Sequence, residues 1–164
     1  MEGMLLEIVY RPIGIIRSPF TDPRNMPIQP VSESSAPGVA EVFEEYAEAL
    51  KDLDGFSHVI LLYHFHRVNR VDLTVTPFMG TEARGLFATR APTRPNPIGL
   101  SVVELLSING RRLLLKNVDI LDGTPLLDIK PYVPQFDQPA AARAGWLEKT
   151  DKSVRSMKSD DRFV

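Results

Sequence analysis

The chain contains no cysteine among its 164 residues. This absence excludes thiol nucleophiles, disulfides, zinc knuckles and thiolate-held clusters. The chain also has no apolar run near the roughly 18 to 20 residues of a membrane span, since its longest run covers only residues 59–63. The first residues show neither a basic region nor a small-residue cleavage site, so no signal peptide is predicted. We therefore expect a soluble protein of the cytoplasm that does not contact a membrane.

An excess of charge of either sign is absent too. The 19 Lys and Arg residues nearly balance the 21 Asp and Glu residues, which leaves a net charge of −2. A protein with this balance does not hold nucleic acid by bulk positive charge, so a polyanion would have to meet a local cluster of cations. The length fits one globular domain rather than two.

Proline is abundant and predicts a β-rich fold. The chain has 14 prolines and 10 glycines, and a proline inside a helix costs about 3 kcal/mol. Five of the prolines fall within residues 19–37, which we expect to be irregular. We predict a mainly β protein, a small antiparallel β-barrel with one or two short helices. In this interpretation residues 1–139 form the barrel domain, and residues 140–164 form a C-terminal helix and a tail that is frayed or loosely docked.

Local patterns predict the individual elements. The apolar run at residues 56–65 predicts a central strand covered on both faces. The Asn109-Gly110 pair lies between two apolar runs and predicts a hairpin, because both residues tolerate a positive φ. Other patterns predict strands at 6–10, 13–17, 38–43, 83–89 and 124–130, and helices at 44–53 and 140–149.

Three histidines lie at even positions of the predicted central strand or just after it. His58, His64 and His66 would project from one face, and a His-x-His spacing is typical of metal sites on barrels. His58 is too far along the strand to share an ion with the other two, and the strand carries no carboxylate. One hypothesis is therefore a metal-dependent, cupin-like barrel enzyme that uses His64 and His66. The other is that the rings hydrogen bond to backbone or ligand.

A stiff, cationic loop is predicted between two strands. Three prolines between residues 92 and 97 fix the backbone there, and Arg90, Arg94 and Asn96 project from the loop. Two guanidinium groups on a preordered loop bind a ligand at low entropic cost. The alternative is a proline-rich turn with solvated arginines.

A third cluster follows the predicted strand at 124–130. Asp128 and Lys130 alternate with Ile129, so both side chains are expected on one face, with Tyr132 nearby. Pro131 ends the strand because it cannot donate to the ladder. An acid, an amine and a phenol at a barrel mouth suit ligand binding or proton transfer, and the alternative is a surface ion pair.

Six short strings extend this set of motifs along the chain. They are PIGIIRSPF at 12–20, GFSH at 55–58, FATR at 87–90, RPNPIG at 94–99, LDGTP at 121–125 and DIKPY at 128–132. Their sequence and order resemble the TsaA-like family of TrmO-type S-adenosylmethionine-dependent tRNA methyltransferases. The resemblance implies a homodimeric β-barrel tRNA (adenine-N6)-methyltransferase with its cofactor near the subunit interface. The implied reaction methylates the exocyclic nitrogen of threonylcarbamoyl-adenosine next to the anticodon.

The same resemblance implies the residues of the site. Cofactor contacts would fall on Pro27, Ile28, Gln29, His66, Arg67, Arg90, Leu100, Asp128, Ile129, Lys130 and Pro131. Arg94 and Asn96 would bind the substrate, the anticodon loop of a tRNA, and Asp128 or Tyr132 would accept the proton that leaves the acceptor. Methyl transfer from a sulfonium needs alignment rather than a metal, so no metal is expected. A non-catalytic barrel that binds S-adenosylmethionine is the remaining hypothesis.

Overall fold

The computed structural model describes residues 6–32, 36–150 and 155–164. Its strands are β1 (Gly14–Arg17), β2 (Ala36–Val42), β3 (His58–His64), β4 (Thr74–Val75), β5 (Arg84–Gly85), β6 (Ile98–Asn109), β7 (Arg112–Val118) and β8 (Thr124–Pro131). Six of them close into an antiparallel barrel in the order β1-β2-β7-β6-β3-β8, while β4 and β5 pair separately. The predicted fold class is therefore confirmed.

The central strand β3 pairs with β6 on one side and with β8 on the other. Its residues alternate between buried and half-buried, with Val59, Leu61 and Tyr63 inside the barrel. The expectation that this strand is covered on both faces was wrong. A barrel buries only the inner face of each strand, so the apolar residues Ile60 and Leu62 lie on its outer face.

The predicted hairpin at Asn109-Gly110 is confirmed. It joins β6 to β7, and Gly110 has a φ of 60°, which a residue without a Cβ adopts without strain. A second glycine, Gly99 of β6, lies against aromatic rings inside the barrel. A Cβ at this position would overlap the rings of Tyr63 and Phe65, so glycine lets the two strands pack closely.

Several predicted elements differ in the structure. The helix expected at 44–53 is a 3₁₀ helix at Glu44–Leu50 followed by a short turn at Leu53–Gly55. The helix expected at 140–149 is reduced to a 3₁₀ segment at Gly145–Lys149, because Ala141 and Gly145 have positive φ values of 56° and 59°. No strand forms at 6–10.

The strand predicted at 83–89 is also mostly wrong. Only β5 is extended, because its partner β4 is two residues long and offers no further pairing. The chain then turns through a 3₁₀ segment at Leu86–Ala88. Leu86 turns inward and packs with Val75 and Ala91 in a small second core.

One end of the barrel gathers two long connections and one short one. Strands β1, β3 and β7 all end there, because each runs antiparallel to its neighbours in the barrel. We call this end the mouth. Its loops are 18–32, 65–97 and 119–123.

The C-terminal residues 155–164 pack against two of these loops. Lys158 forms an isolated β-bridge with Pro27, and Ser159 exchanges backbone hydrogen bonds with Asn25 and Met26. The Phe163 ring meets the Phe78 ring edge to face at 5.1 Å. This part of the C-terminal segment is therefore a docked arm, and the division of the chain at residue 139 stays a prediction. No helix within the described ranges is long and apolar enough to cross a membrane.

Candidate active site at the mouth of the barrel

A side-chain hydrogen bond joins two mouth loops. Nη1 of Arg90 donates to Oε1 of Gln29 over 3.1 Å. Pro27 and Ile28 precede Gln29 in a segment whose backbone is held by the C-terminal arm. The structure thus brings together the predicted cofactor residues Pro27, Ile28, Gln29 and Arg90.

Arg94 organises the loop that carries Arg90. Its Nη1 donates to the backbone oxygens of Thr89 at 2.9 Å and Ala91 at 3.2 Å, and it reaches the Leu86 oxygen at 3.5 Å. Arg94 is half-buried, whereas Asn96 is exposed. The stiffness predicted from the prolines therefore also depends on one of the two arginines that we expected to bind ligand.

Two of the three histidines, His58 and His64, share the outer face of β3 as predicted, and His66 does not. His64 ends β3, and His66 lies in the following turn beside Arg67. Burial, then the charges of Arg67 and His64, lowers the pKa of His66. His58 begins β3 at the opposite end, where its Nδ1 lies 2.9 Å from Oγ of Ser57. In the part of the chain that the structure describes, no three His, Asp or Glu side chains form a group that could hold a metal ion, so the cupin-like alternative gains no support.

The half-buried carboxyl group of Asp119 lies at the mouth, at the end of a chain of hydrogen bonds that sequence reasoning missed. Oγ of Ser101 donates to Oδ1 of Asp119 at 2.7 Å, and the Tyr63 hydroxyl lies 2.8 Å from the same Oγ. With Asp119 ionised, Tyr63 donates to Ser101 and Ser101 donates to Asp119, since a hydroxyl has one proton to give. The sequence signal for this site was Asp119 itself, an acid that stands among apolar residues at 118–121.

Burial raises the pKa of Asp119 to about 7, against the opposing effects of the Ser101 hydrogen bond, its own backbone amide and the Arg90 charge. Burial also raises the pKa of the Tyr63 hydroxyl, which Arg90 again opposes. Both groups therefore lie within the electrostatic reach of Arg90. The mouth therefore holds a cation whose charge acts on a carboxyl with a raised pKa.

Three of the predicted residues, Leu100, Asp128 and Lys130, lie outside the mouth on the outer surface of the barrel. Leu100, Leu62 and Asp128 form one row across β6, β3 and β8, and Lys130 pairs with Ile60 in the next row. Nζ of Lys130 contacts Oδ2 of Asp128 at 2.8 Å, and the hydrogen bond with Asp128 raises the pKa of Lys130.

Ile129 packs against the barrel core, and Pro131 ends β8. Tyr132 follows, with its ring 6.2 Å from that of His58. His58 and His64 are the two ends of β3, about 20 Å apart at the usual rise of a strand. Within one chain, Tyr132 is therefore remote from the mouth, where we had expected it.

Taken together, the mouth offers a guanidinium, an amide oxygen and a half-buried carboxyl, and the exposed Leu100 lies next to its rim. This combination suits a polar organic ligand with a carboxylate and an apolar ring. Fold and site thus define a small antiparallel barrel whose connections bring candidate ligand-binding groups together at the mouth.

The family model for the tRNA-methyltransferase O N-terminal domain matches residues 15–138. The chain belongs to this family, which confirms the resemblance seen in the sequence motifs. A protein of Pyrococcus abyssi described as a probable S-adenosyl-L-methionine-binding protein is 55% identical over 96% of this chain and 86% of its own length.

Bacterial relatives are longer. The tRNA (adenine(37)-N6)-methyltransferase of Escherichia coli is 38% identical over 85% of this chain and 63% of its own length. The crystal structure of TrmO from Pseudomonas aeruginosa superimposes on this chain with a TM-score of 0.74 at 44% identity. The match covers 87% of this chain and 63% of the TrmO chain. The chain thus spans somewhat less than two thirds of these two proteins.

Proposed function

We propose that this protein is an S-adenosylmethionine-dependent methyltransferase that acts on tRNA. The finer proposal is that its acceptor is the exocyclic nitrogen of threonylcarbamoyl-adenosine next to the anticodon. Family membership and the descriptions of relatives support the reaction class. The observation that carries the proposal is the Arg90–Gln29 hydrogen bond, which unites two loops of the family-matched region. A cytoplasmic location goes with a tRNA substrate and stays a prediction.

The residues at the mouth and rim fit S-adenosylmethionine. Arg90 and Gln29 suit its carboxylate and ammonium groups, and Leu100, which is 45% exposed, offers apolar surface to the adenine. Asp128, in the same row as Leu100, presents oxygens that accept from ribose hydroxyls. When bound, the cofactor supplies an activated methyl group on a sulfonium sulfur.

The main task of the protein in this reaction is alignment. Transfer of a methyl group is an in-line displacement. A protein that holds the donor sulfur, the methyl group and the acceptor nitrogen in line therefore lowers the activation barrier by orienting them. The loop around Arg90 is already ordered, because Arg94 bonds two of its carbonyls and Thr89 Oγ1 donates to Leu86 at 2.8 Å. Such a loop loses little entropy when a ligand binds.

The acceptor nitrogen must also lose a proton. Of the two proton acceptors that the resemblance nominates, Asp128 lies in the Leu100 row and Tyr132 lies beside His58 at the other end. We therefore retain Asp128 and not Tyr132 in this role within one subunit. Lys130 holds the Asp128 carboxylate in place through their ion pair.

We further propose a homodimer formed through the outer face of β3 and β6. Register puts Ile60 beside Val102, Leu62 beside Leu100, and His64 beside Ile98 on this face. Leu100 and Ile98 are 45% and 38% exposed. An apolar face of this kind is typical of a subunit contact, and it includes Leu100, which is also a proposed cofactor residue.

The test is methyl transfer in vitro. The purified chain is incubated with S-adenosylmethionine labelled in its methyl group and with tRNA from a strain that lacks this activity. Matched tRNA without the threonylcarbamoyl group is the control. We expect label in the first tRNA only.

Label in both tRNAs would support methyltransferase activity on tRNA and would overturn the proposed acceptor nitrogen. Cofactor binding without label in any tRNA would favour the non-catalytic binding barrel instead, a reading that the description of the Pyrococcus abyssi relative keeps open.

A further inference from the structure

Phe87 is an aromatic side chain that the fold turns outward beside the mouth. It is 78% exposed, whereas its neighbour Leu86 is 2% exposed in the small second core. A phenyl ring left in water gains little from apolar burial. Exposure alone does not distinguish Phe87, because Phe136 is 80% exposed as well, but the surroundings of Phe87 do.

The segment that carries Phe87 is held on both sides. The backbone N–H of Leu86 donates to Leu73, and that of Thr89 donates to Leu86, each at 3.0 Å. Nε1 of Trp146 donates to the Ala88 oxygen at 2.8 Å. The ring is thus presented from a fixed backbone rather than from a loose loop.

A guanidinium lies over the same ring. The Arg94 Cζ is 5.6 Å from the centre of the Phe87 ring, within range of a cation–π interaction. Among residues 6–32, 36–150 and 155–164, no Asp or Glu forms an ion pair with Arg67, Arg90 or Arg94. With Arg90 assigned to the cofactor, the charges of Arg67 and Arg94 remain available to an anionic partner, although the whole chain is slightly acidic.

We propose that Phe87, supported by Arg94, is a stacking platform for an unpaired base of the RNA substrate next to the mouth. The inference rests on the proposed tRNA substrate and deepens it by naming a residue that would position the RNA. Aromatic rings and guanidinium planes are the groups on which proteins stack splayed bases of single-stranded RNA. Arg67 and Arg94 complement the phosphates on either side of such a base.

A base fits this surface better than a second copy of the chain does. The apolar surface that we assign to the dimer lies on β3 and β6, where aliphatic side chains form adjacent rows. Phe87 instead belongs to a 3₁₀ turn, with a cation over its ring and another cation three residues away at Arg90. These surroundings suit an aromatic base that belongs to a polyanion.

The test compares four full-length proteins: wild type, Phe87→Ala, Phe87→Trp and Phe136→Ala. Phe136 is a matched control, because it is 80% exposed and follows β8 at the end of the barrel opposite the mouth. The probe is an anticodon stem-loop RNA that carries threonylcarbamoyl-adenosine. Its dissociation constant, KM and kcat are measured together with S-adenosylmethionine affinity and sedimentation.

We expect Phe87→Ala to raise the dissociation constant and KM for the RNA about 5- to 150-fold, the range that the loss of one stacked base implies. Its kcat, cofactor affinity and oligomeric state should stay close to those of wild type. Phe87→Trp should restore binding because indole also stacks, and Phe136→Ala should bind RNA normally.

Wild-type RNA affinity in Phe87→Ala would overturn the inference and leave the proposed function intact. Altered cofactor affinity or a changed oligomeric state in this variant would also overturn it, by assigning the ring to the cofactor or to a subunit contact. A wild-type protein that neither binds nor methylates the RNA would overturn the proposed function as well.

Discussion

Arg90 donates a hydrogen bond to Gln29 across 61 positions of sequence. The bond ties the loop after β1 to the loop before β6, and the Arg90 charge also acts on the half-buried Asp119. One guanidinium therefore contacts a neighbouring loop and influences an acid at the proposed cofactor site. Loss of this group should affect ligand binding more than folding.

Arg90→Ala is expected to weaken S-adenosylmethionine binding by about 1 to 3 kcal/mol, the usual contribution of a charge-assisted hydrogen bond to a ligand. Its free energy of unfolding should change by less than about 1 kcal/mol, because Arg90 is exposed. Calorimetric titration and urea unfolding measure the two effects. Arg112→Ala, an exposed arginine at the start of β7 away from the mouth, is the control. Equal cofactor affinity in both variants would mean that Arg90 does not bind the cofactor.

Asp119 should make folding stability depend on pH. Its pKa in the folded protein is about 7, above its ordinary value, so the folded state binds more protons than the unfolded state between about pH 4 and 7. This contribution is fully present at low pH and is lost as the pH rises through 7. We compare the free energy of unfolding of wild type with that of Asp119→Asn at each pH. The value for wild type minus the value for the variant should fall across this window, by at most about 1.4 kcal/mol per pH unit. Urea unfolding from pH 4.5 to 8.5 measures this difference. If the unfolding free energies of the two proteins changed with pH in the same way, the raised pKa would be contradicted.

Gly99→Ala should destabilise the barrel. The new Cβ would overlap the Tyr63 and Phe65 rings, and overpacking of this kind typically costs about 1 to 3 kcal/mol. Gly85→Ala is the matched control, because nothing lies within 4 Å of its added Cβ and its φ is −59°. Thermal or urea unfolding distinguishes the two variants. Similar stability in both would show that the rings move aside without cost.

The proposed dimer predicts a sedimentation mass of about twice 18.4 kDa. Ile98→Asp should shift the protein toward monomer, because it places a charge among the apolar rows of β3 and β6. Leu106→Asp tests specificity, since Leu106 is a similarly exposed leucine further along β6. A wild-type monomer that binds the cofactor tightly would refute a site that depends on two subunits.

The sequence alone predicted the barrel class and the β6–β7 hairpin, because Asn109-Gly110 and alternating apolar residues are local signals. It did not predict the turn at Leu86–Ala88, whose form depends on the short partner strand β4. Nor did it predict the loss of the helix at 140–149, where left-handed Ala141 and Gly145 interrupt a helical pattern.

The site was predicted in part, and mainly through resemblance to a family. Arg90 and Gln29 were both named, but no local pattern indicates that residues so distant in sequence meet. Asp119 was missed because its role depends on Ser101 and Tyr63, which two other strands bring to it. Asp128 and Lys130 share a face as predicted, although that face is the outside of the barrel rather than its mouth.

The most direct test of the central claim is calorimetric titration of chelator-treated protein with S-adenosylmethionine and S-adenosylhomocysteine. The account predicts saturable binding of both compounds without added metal, with the affinity reduced in Arg90→Ala. Binding that is absent, that requires a restored metal ion, or that is unchanged in Arg90→Ala would contradict a metal-free cofactor site at the mouth of the barrel.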